Sequence, residues 1–191
     1  MHPAQIRTLA ELLKFCRSGK SPDLLFFWGH TPKHATQVDK SCLSNWYPAG
    51  FESQGHLYPT SEHFLMAQKA WIFGDLACFD QIRHAPDPAS AKKLGRQVKG
   101  FDEKKWLLHR WDANLEANLE KFRQNLALQE FLLQTGNQIL VEASPEDKIW
   151  GIGLSAQDER AQNPEKWKGL NLLGFALMEV RSQLLSREPL I

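Results

Sequence analysis

Cysteine is scarce in this chain of 191 residues: Cys16, Cys42 and Cys78 are far apart, odd in number and form no C-x-x-C pair. That spacing excludes a disulfide framework and a four-cysteine zinc module. It predicts three free thiols in a reducing compartment, the cytoplasm. No run of about 18 apolar residues occurs, so no membrane-spanning helix is expected. The opening Met1-His2-Pro3-Ala4-Gln5 carries no apolar stretch of the kind a secretory signal needs. Net charge is small as well, +1 at pH 7 with neutral histidines. A field this weak does not draw in nucleic acid in general. It favours small molecules or short nucleic-acid ends over long duplex. Tyrosine is rare with 2 residues, yet there are 7 Trp and 11 Phe. Such rings build cores, and they also stack on bases and sugars.

The familiar catalytic signatures are missing too. His30 and His34 are four apart, but Pro32 between them argues against a helix, and His63, His84 and His109 are scattered. There is no H-E-x-x-H, so no metal is expected. A G-x-S-x-G elbow, a phosphate-binding G-x-x-x-x-G-K-[ST] loop and a G-x-G-x-x-G turn after a strand are all lacking. Ordinary serine hydrolases, nucleoside triphosphatases and dinucleotide dehydrogenases are therefore not indicated.

What is present reads as an α+β chain: one compact, mostly helical domain with a few short strands. Thr8–Arg17 has the pattern of a short amphipathic helix, stopped by Ser18-Gly19-Lys20-Ser21-Pro22. Leu24–Gly29 suits a buried strand, His30–Ser41 a loop, and Leu43–Tyr47 a second strand. Gly50–Tyr58 reads as a third strand or extended arm. Asp87-Pro88 opens a helix running to Arg96. A long helical region spans Asp102 to about Thr135, closed by Gly136, with a break expected near Gln124–Ala127. Ile139–Glu142 is a short strand, and Asn171–Leu185 a last amphipathic helix.

The most telling stretch is Thr60-Ser61-Glu62-His63-Phe64-Leu65-Met66-Ala67-Gln68-Lys69. Thr60 or Ser61 can cap a helix there. At about 100° per residue, Glu62, Met66, Lys69 and Phe73 share one stripe. Phe64, Leu65, Trp71 and Ile72 make the rest apolar, the mark of a buried helix. Glu62 and Lys69 are then expected inside the protein or on a cleft wall, where charges usually serve a site. The plainer reading has Glu62 complementing the helix dipole and Lys69 reaching out to water. Lys92, Arg96 and Lys99 form a basic group that is either a phosphate site or a solvated face. The glycines of Trp150-Gly151-Ile152-Gly153 serve either a tight turn or the close approach of a ligand.

The ordered set of motifs goes further than any one of them. Pro59-Thr60-Ser61-Glu62-His63 is followed by Ala67-Gln68-Lys69-Ala70, Ala91-Lys92-Lys93-Leu94-Gly95-Arg96 and a helix centred on Trp106. Then come Lys121-Phe122, Leu132–Gly136, Leu140–Ser144 with Asp147, Trp150–Gly153, and Asn171-Leu172-Leu173-Gly174. In this order the set resembles the NADAR, or YbiA-like, family, across roughly Leu24 to Leu185. The resemblance implies a helical extension over 1–22 and the family domain over 23–188. It implies a cytoplasmic N-glycosidase without cofactor or metal, which cleaves the C1–N bond between a phosphorylated ribose and a base or amine. Two substrate classes come with it: ribosylamino-pyrimidine intermediates of riboflavin synthesis, and ADP-ribose on guanine, which brings short or single-stranded nucleic acid in as a partner.

Carried onto these residues, the resemblance makes Glu62 and Lys69 catalytic. Glu62 would stabilise the positive charge that builds on the ribose ring. Lys69 would contact the sugar, or attack its opened aldehyde as a Schiff base. Ser44, Asn45, Trp46, Gln68, Arg96, Trp106, Asp147, Trp150, Gly151 and Asn171 would bind substrate: Arg96 the phosphate, Trp46 or Trp150 the base, and Asn45 and Asn171 the ribose hydroxyls. The alternative is a module that binds ADP-ribose or a nucleotide without cleaving it.

Overall fold

A computed structural model describes residues 2–187. They form seven α-helices and four short strands, the mostly helical α+β content that the sequence predicts. By their internal contacts the described residues group into two units, 2–44 with 127–187, and 45–126.

The first unit is built on a parallel pair, β1 (Leu24–Phe27) and β4 (Ile139–Glu142), in register from Leu24 opposite Ile139 to Phe27 opposite Glu142. Parallel strands are covered on their faces and so read as unbroken apolar runs. Leu-Leu-Phe-Phe and Ile-Leu-Val are such runs. Helix α7 (Leu172–Arg187) packs on β4. Helix α1 (Leu9–Arg17) starts at Thr8, whose side chain accepts the Glu11 N–H while Glu11 reaches back to Thr8, a reciprocal cap. The stretch before β1 is tied in here. Arg7 bonds Glu179 and Ser182 of α7, and Leu12 and Phe15 are buried. Most of α6 (Leu126–Gln134) also belongs to this unit. No described helix is long and apolar enough to cross a membrane.

The second unit surrounds α2 (Ser61–Ile72), which packs against α3 (Leu76–Arg83), α4 (Pro88–Gly95) and α5 (Glu103–Gln124). The strands β2 (Phe51–Ser53) and β3 (His56–Tyr58) make a hairpin. Gln54 and Gly55 form its turn with φ of 53° and 76°, the mirror-image conformation that matches strand twist. Phe51, Tyr58 and Phe64 meet in the core, with Tyr58 and Phe64 ring centres 4.9 Å apart. Gly95 lets α4 lie against α2, because a Cβ there would collide with the Met66 side chain.

Two local expectations change. Leu43–Tyr47 is not a strand. Asp39 accepts the Ser41 N–H and caps a short 3-10 helix over Lys40–Leu43, and turns follow it. The local cap outweighs the β preference of Trp and Tyr, which have no neighbouring strand to pair with. Trp71 is not buried as Phe64 and Leu65 are but is 56% exposed, its ring leaning on Phe79 at 5.7 Å. The expected break in the long helix falls at Asn125, between α5 and α6.

Candidate active site

Glu62 sits in the first turn of α2. Thr60 caps that helix by accepting the His63 N–H, and the Glu62 N–H donates to the Asn45 carbonyl at 2.9 Å. These bonds satisfy two donors that a helix start leaves open. The Glu62 side chain is buried, with the residue 5% exposed, so the expected burial is met. A carboxylate held there gains from the helix dipole but also lies out of bulk water, so the dipole reading and the site reading are compatible.

Lys69, seven residues on, is partly buried. Its Nζ donates to the Gly95 carbonyl at 2.7 Å and stands 4.1 Å from the centre of the Phe101 ring. Burial pushes its pKa down; the Cys78 thiol opposes this and the nearby Arg96 charge adds to it. The lysine does not reach freely into water: a carbonyl at the end of α4 and an aromatic face hold it. Arg96 follows at the end of α4 and is exposed, while Lys92 lies 5.7 Å from the Trp46 ring centre. Thus Lys69 feels the Arg96 charge, and Lys92 and Trp46 pair. Gln68 on α2 and Trp106 in the first turn of α5 are both partly buried.

Several expected substrate contacts are engaged in the scaffold. The Asn45 amide donates to Asn114 Oδ1 at 2.8 Å and accepts from Asn118 Nδ2 at 2.9 Å. In the first unit, Asn171 Oδ1 accepts the Glu142 N–H at 2.9 Å and its Nδ2 donates to the Leu140 carbonyl at 2.9 Å. Its backbone is left-handed, φ 54°. Both amides clamp the scaffold, with a partner at each end. Asp147 Oδ1 accepts the N–H groups of Ile149 and Trp150 at 2.8 and 2.7 Å, a turn built by a side chain. Gly151 packs onto its own chain, where a Cβ would come within 2.8 Å of the Glu142 carbonyl. The Trp-Gly-Ile-Gly glycines are therefore explained by packing and by the φ of 66° at Gly153. Ser44 is buried at the end of the short 3-10 helix, and Trp150 is partly buried.

Phe101, Gly95, Asn114 and Asn118 were not legible as site residues. Phe101 has one sequence signal: an aromatic in the loop after Gly100, just ahead of the Asp102 cap. A polar indentation of about 350 Å³ lined by Glu52, Ser53, Gln54, Glu120, Arg123 and Gln124 contains none of the candidate residues.

The NADAR domain model matches residues 26–185. The chain belongs to the NADAR domain family. An N-glycosidase of Acanthamoeba polyphaga mimivirus is 40% identical over 164 residues, covering 83% of this chain and 95% of that protein. A riboflavin biosynthesis protein of Vibrio vulnificus is 33% identical over 147 residues, 77% of this chain but 36% of that longer protein. The NMR structure of the E. coli protein YbiA superimposes with a TM-score of 0.71 at 28% identity, covering 88% of this chain and 89% of that one. This NADAR chain therefore shares its fold with YbiA, and the helix carrying Glu62 and Lys69 lies well inside the matched range.

Proposed function

We propose that this NADAR protein is an N-glycosidase that hydrolyses the C1–N bond between a phosphorylated ribose and a base or amine. The observation that carries the reading is the state of α2: one helix holds a buried carboxylate, Glu62, and a partly buried ammonium, Lys69, fixed between the Gly95 carbonyl and the Phe101 ring. The relatives named N-glycosidase support the reaction class.

Breaking the C1–N bond leaves its electron pair on nitrogen and positive charge on the ribose. Water then adds to C1, and its proton passes to the departing nitrogen. Glu62 opposes the ring charge in a site of low dielectric. The two Cα positions are about 10 Å apart along the helix axis, so Glu62 and Lys69 need not touch each other to act on one ribose. Arg96 carries an exposed guanidinium suited to phosphate. Trp46, with Lys92 over its ring, is the aromatic group suited to a base.

Two substrate classes fit this chemistry in the cytoplasm: ADP-ribose on guanine in nucleic acid, and ribosylamino-pyrimidine phosphates. The Vibrio relative's name supports the second. Incubation of the purified protein with an ADP-ribosylated guanine oligonucleotide and with a ribosylamino-pyrimidine phosphate, followed by detection of released base or ribose phosphate, tests the proposal. Binding of either compound without release would make the protein a recognition module instead.

A further inference from the structure

Helix α5 carries polar residues where a helix facing a core normally carries apolar ones. Asn114 and Asn118, one turn apart, are both fully buried. They grip the two ends of the Asn45 amide: Asn114 Oδ1 accepts from it at 2.8 Å and Asn118 Nδ2 donates to it at 2.9 Å. Asn118 Nδ2 also bonds the Asn114 carbonyl at 3.0 Å. The backbone carbonyl of Asn45 in turn takes the Glu62 N–H at 2.9 Å. A continuous chain of hydrogen bonds thus runs from the middle of α5 to the residue that carries the buried carboxylate.

The grip comes at a penalty. Asn114 Nδ2 and Asn118 Oδ1 are buried without a hydrogen-bond partner among the described residues. Buried polar atoms left open destabilise a fold, whereas a pair of apolar side chains at these positions would not. Packing alone does not account for two such asparagines. Fixing the place of one backbone segment does, because an amide held at both ends has a single orientation.

We propose that Asn114 and Asn118 are positioning residues, which set the Glu62 carboxylate against the ribose through Asn45. The inference rests on the enzyme reading given above. Neither asparagine touches substrate; each acts by keeping the first turn of α2 in register.

The control lies at the C-terminal end of the same helix. Asn125 Nδ2 donates to the Gly50 carbonyl at 3.1 Å and the Lys121 carbonyl at 2.8 Å, a similar amide clamp that does not lead to Glu62. The experiment measures kcat, KM and thermal unfolding for Asn118→Ala, Asn114→Ala and Asn125→Ala, in wild-type and Glu62→Gln backgrounds, on whichever of the two compounds the wild type cleaves. Asn118→Ala and Asn114→Ala should lower kcat about tenfold with KM within about twofold, the pattern of lost transition-state alignment. In Glu62→Gln the same substitutions should change kcat by less than about twofold, because residues acting through one group are not additive. Asn125→Ala should lower the unfolding temperature while keeping kcat. Should Asn118→Ala not fold, Asn114→Ala carries the test, since it leaves the Asn118–Asn45 bond in place. A normal kcat in both variants, an equal loss in Asn125→Ala, or an undiminished loss in the Glu62→Gln background overturns the inference while leaving the enzyme reading intact. No release by the wild type, or an unchanged rate in Glu62→Gln alone, overturns both.

Discussion

The Lys69 ammonium stands 4.1 Å from the centre of the Phe101 ring. A cation over an aromatic face is held by the ring quadrupole, by about 0.5–1 kcal/mol at an exposed site and more when desolvated. Phe101 is itself 45% exposed, so it adds little to the core. Its replacement should separate the site from the scaffold. Phe101→Leu is expected to slow turnover roughly three- to tenfold while costing less than about 1 kcal/mol of stability. Kinetics and urea unfolding on the same preparation check both halves.

Lys69 itself distinguishes two chemistries. Lys69→Ala should abolish cleavage. Lys69→Arg keeps a charge at the Phe101 face, and we expect it to retain part of the activity, with borohydride trapping no sugar on the wild type. An arginine variant as inactive as alanine, together with sugar trapped on the wild type, would assign a Schiff-base role instead. Normal rates in both variants would return Lys69 to a purely structural contact with Gly95.

Asn171 should prove a stability residue. Its amide bonds the backbone of β4 at both ends, and its φ is 54°. Asn171→Ala loses both bonds and strains the backbone, and is expected to cost about 2–4 kcal/mol. Asn171→Gly loses the bonds but relaxes the strain, so it should cost less than alanine does. Denaturant unfolding of the two variants gives the order directly.

Much of the helical outline was legible in the sequence because caps and turns are local. Thr8, Thr60, Asp87 and Asp102 each accept a first-turn N–H, and Asn125 breaks the long helix where a break is expected. The buried charge on α2 was legible from helical spacing. Other parts were not. The 3-10 helix at Lys40–Leu43 depends on one Asp39 side chain, which apolar patterning does not register. Helix α3 was missed because its apolar face, Cys78, Phe79 and Ile82, is short. Asn114 and Asn118 carry no sequence signal of their own, since nothing local shows that Asn45 lies against them. The bonds of Asn171 and Asp147 and the close packing of Gly151 involve the scaffold, which only three-dimensional contact can show.

Acid should weaken this fold through His63. The ring is buried between Thr60 Oγ1 at 2.8 Å and the Ala85 carbonyl at 3.1 Å. Burial pushes its pKa below the ordinary 6.5, although the Ala85 carbonyl and Asp87 pull the other way. The unfolded chain therefore binds the proton first as pH falls. The stability from neutral His63 is complete above about 6.5 and is lost as pH drops through the lower folded-state value. Unfolding temperature against pH should fall over that window, and His63→Gln should flatten the fall. An equal slope in the variant would assign the acid sensitivity elsewhere.

If Glu62 carries the reaction, the rate of base release by Glu62→Gln shows it. The substitution keeps the shape and removes the charge. With its unfolding temperature near wild type, the variant is predicted to lose at least about a hundredfold in kcat, the scale of one key electrostatic or acid–base group. Release at the wild-type rate would leave Glu62 with only its place at the start of α2.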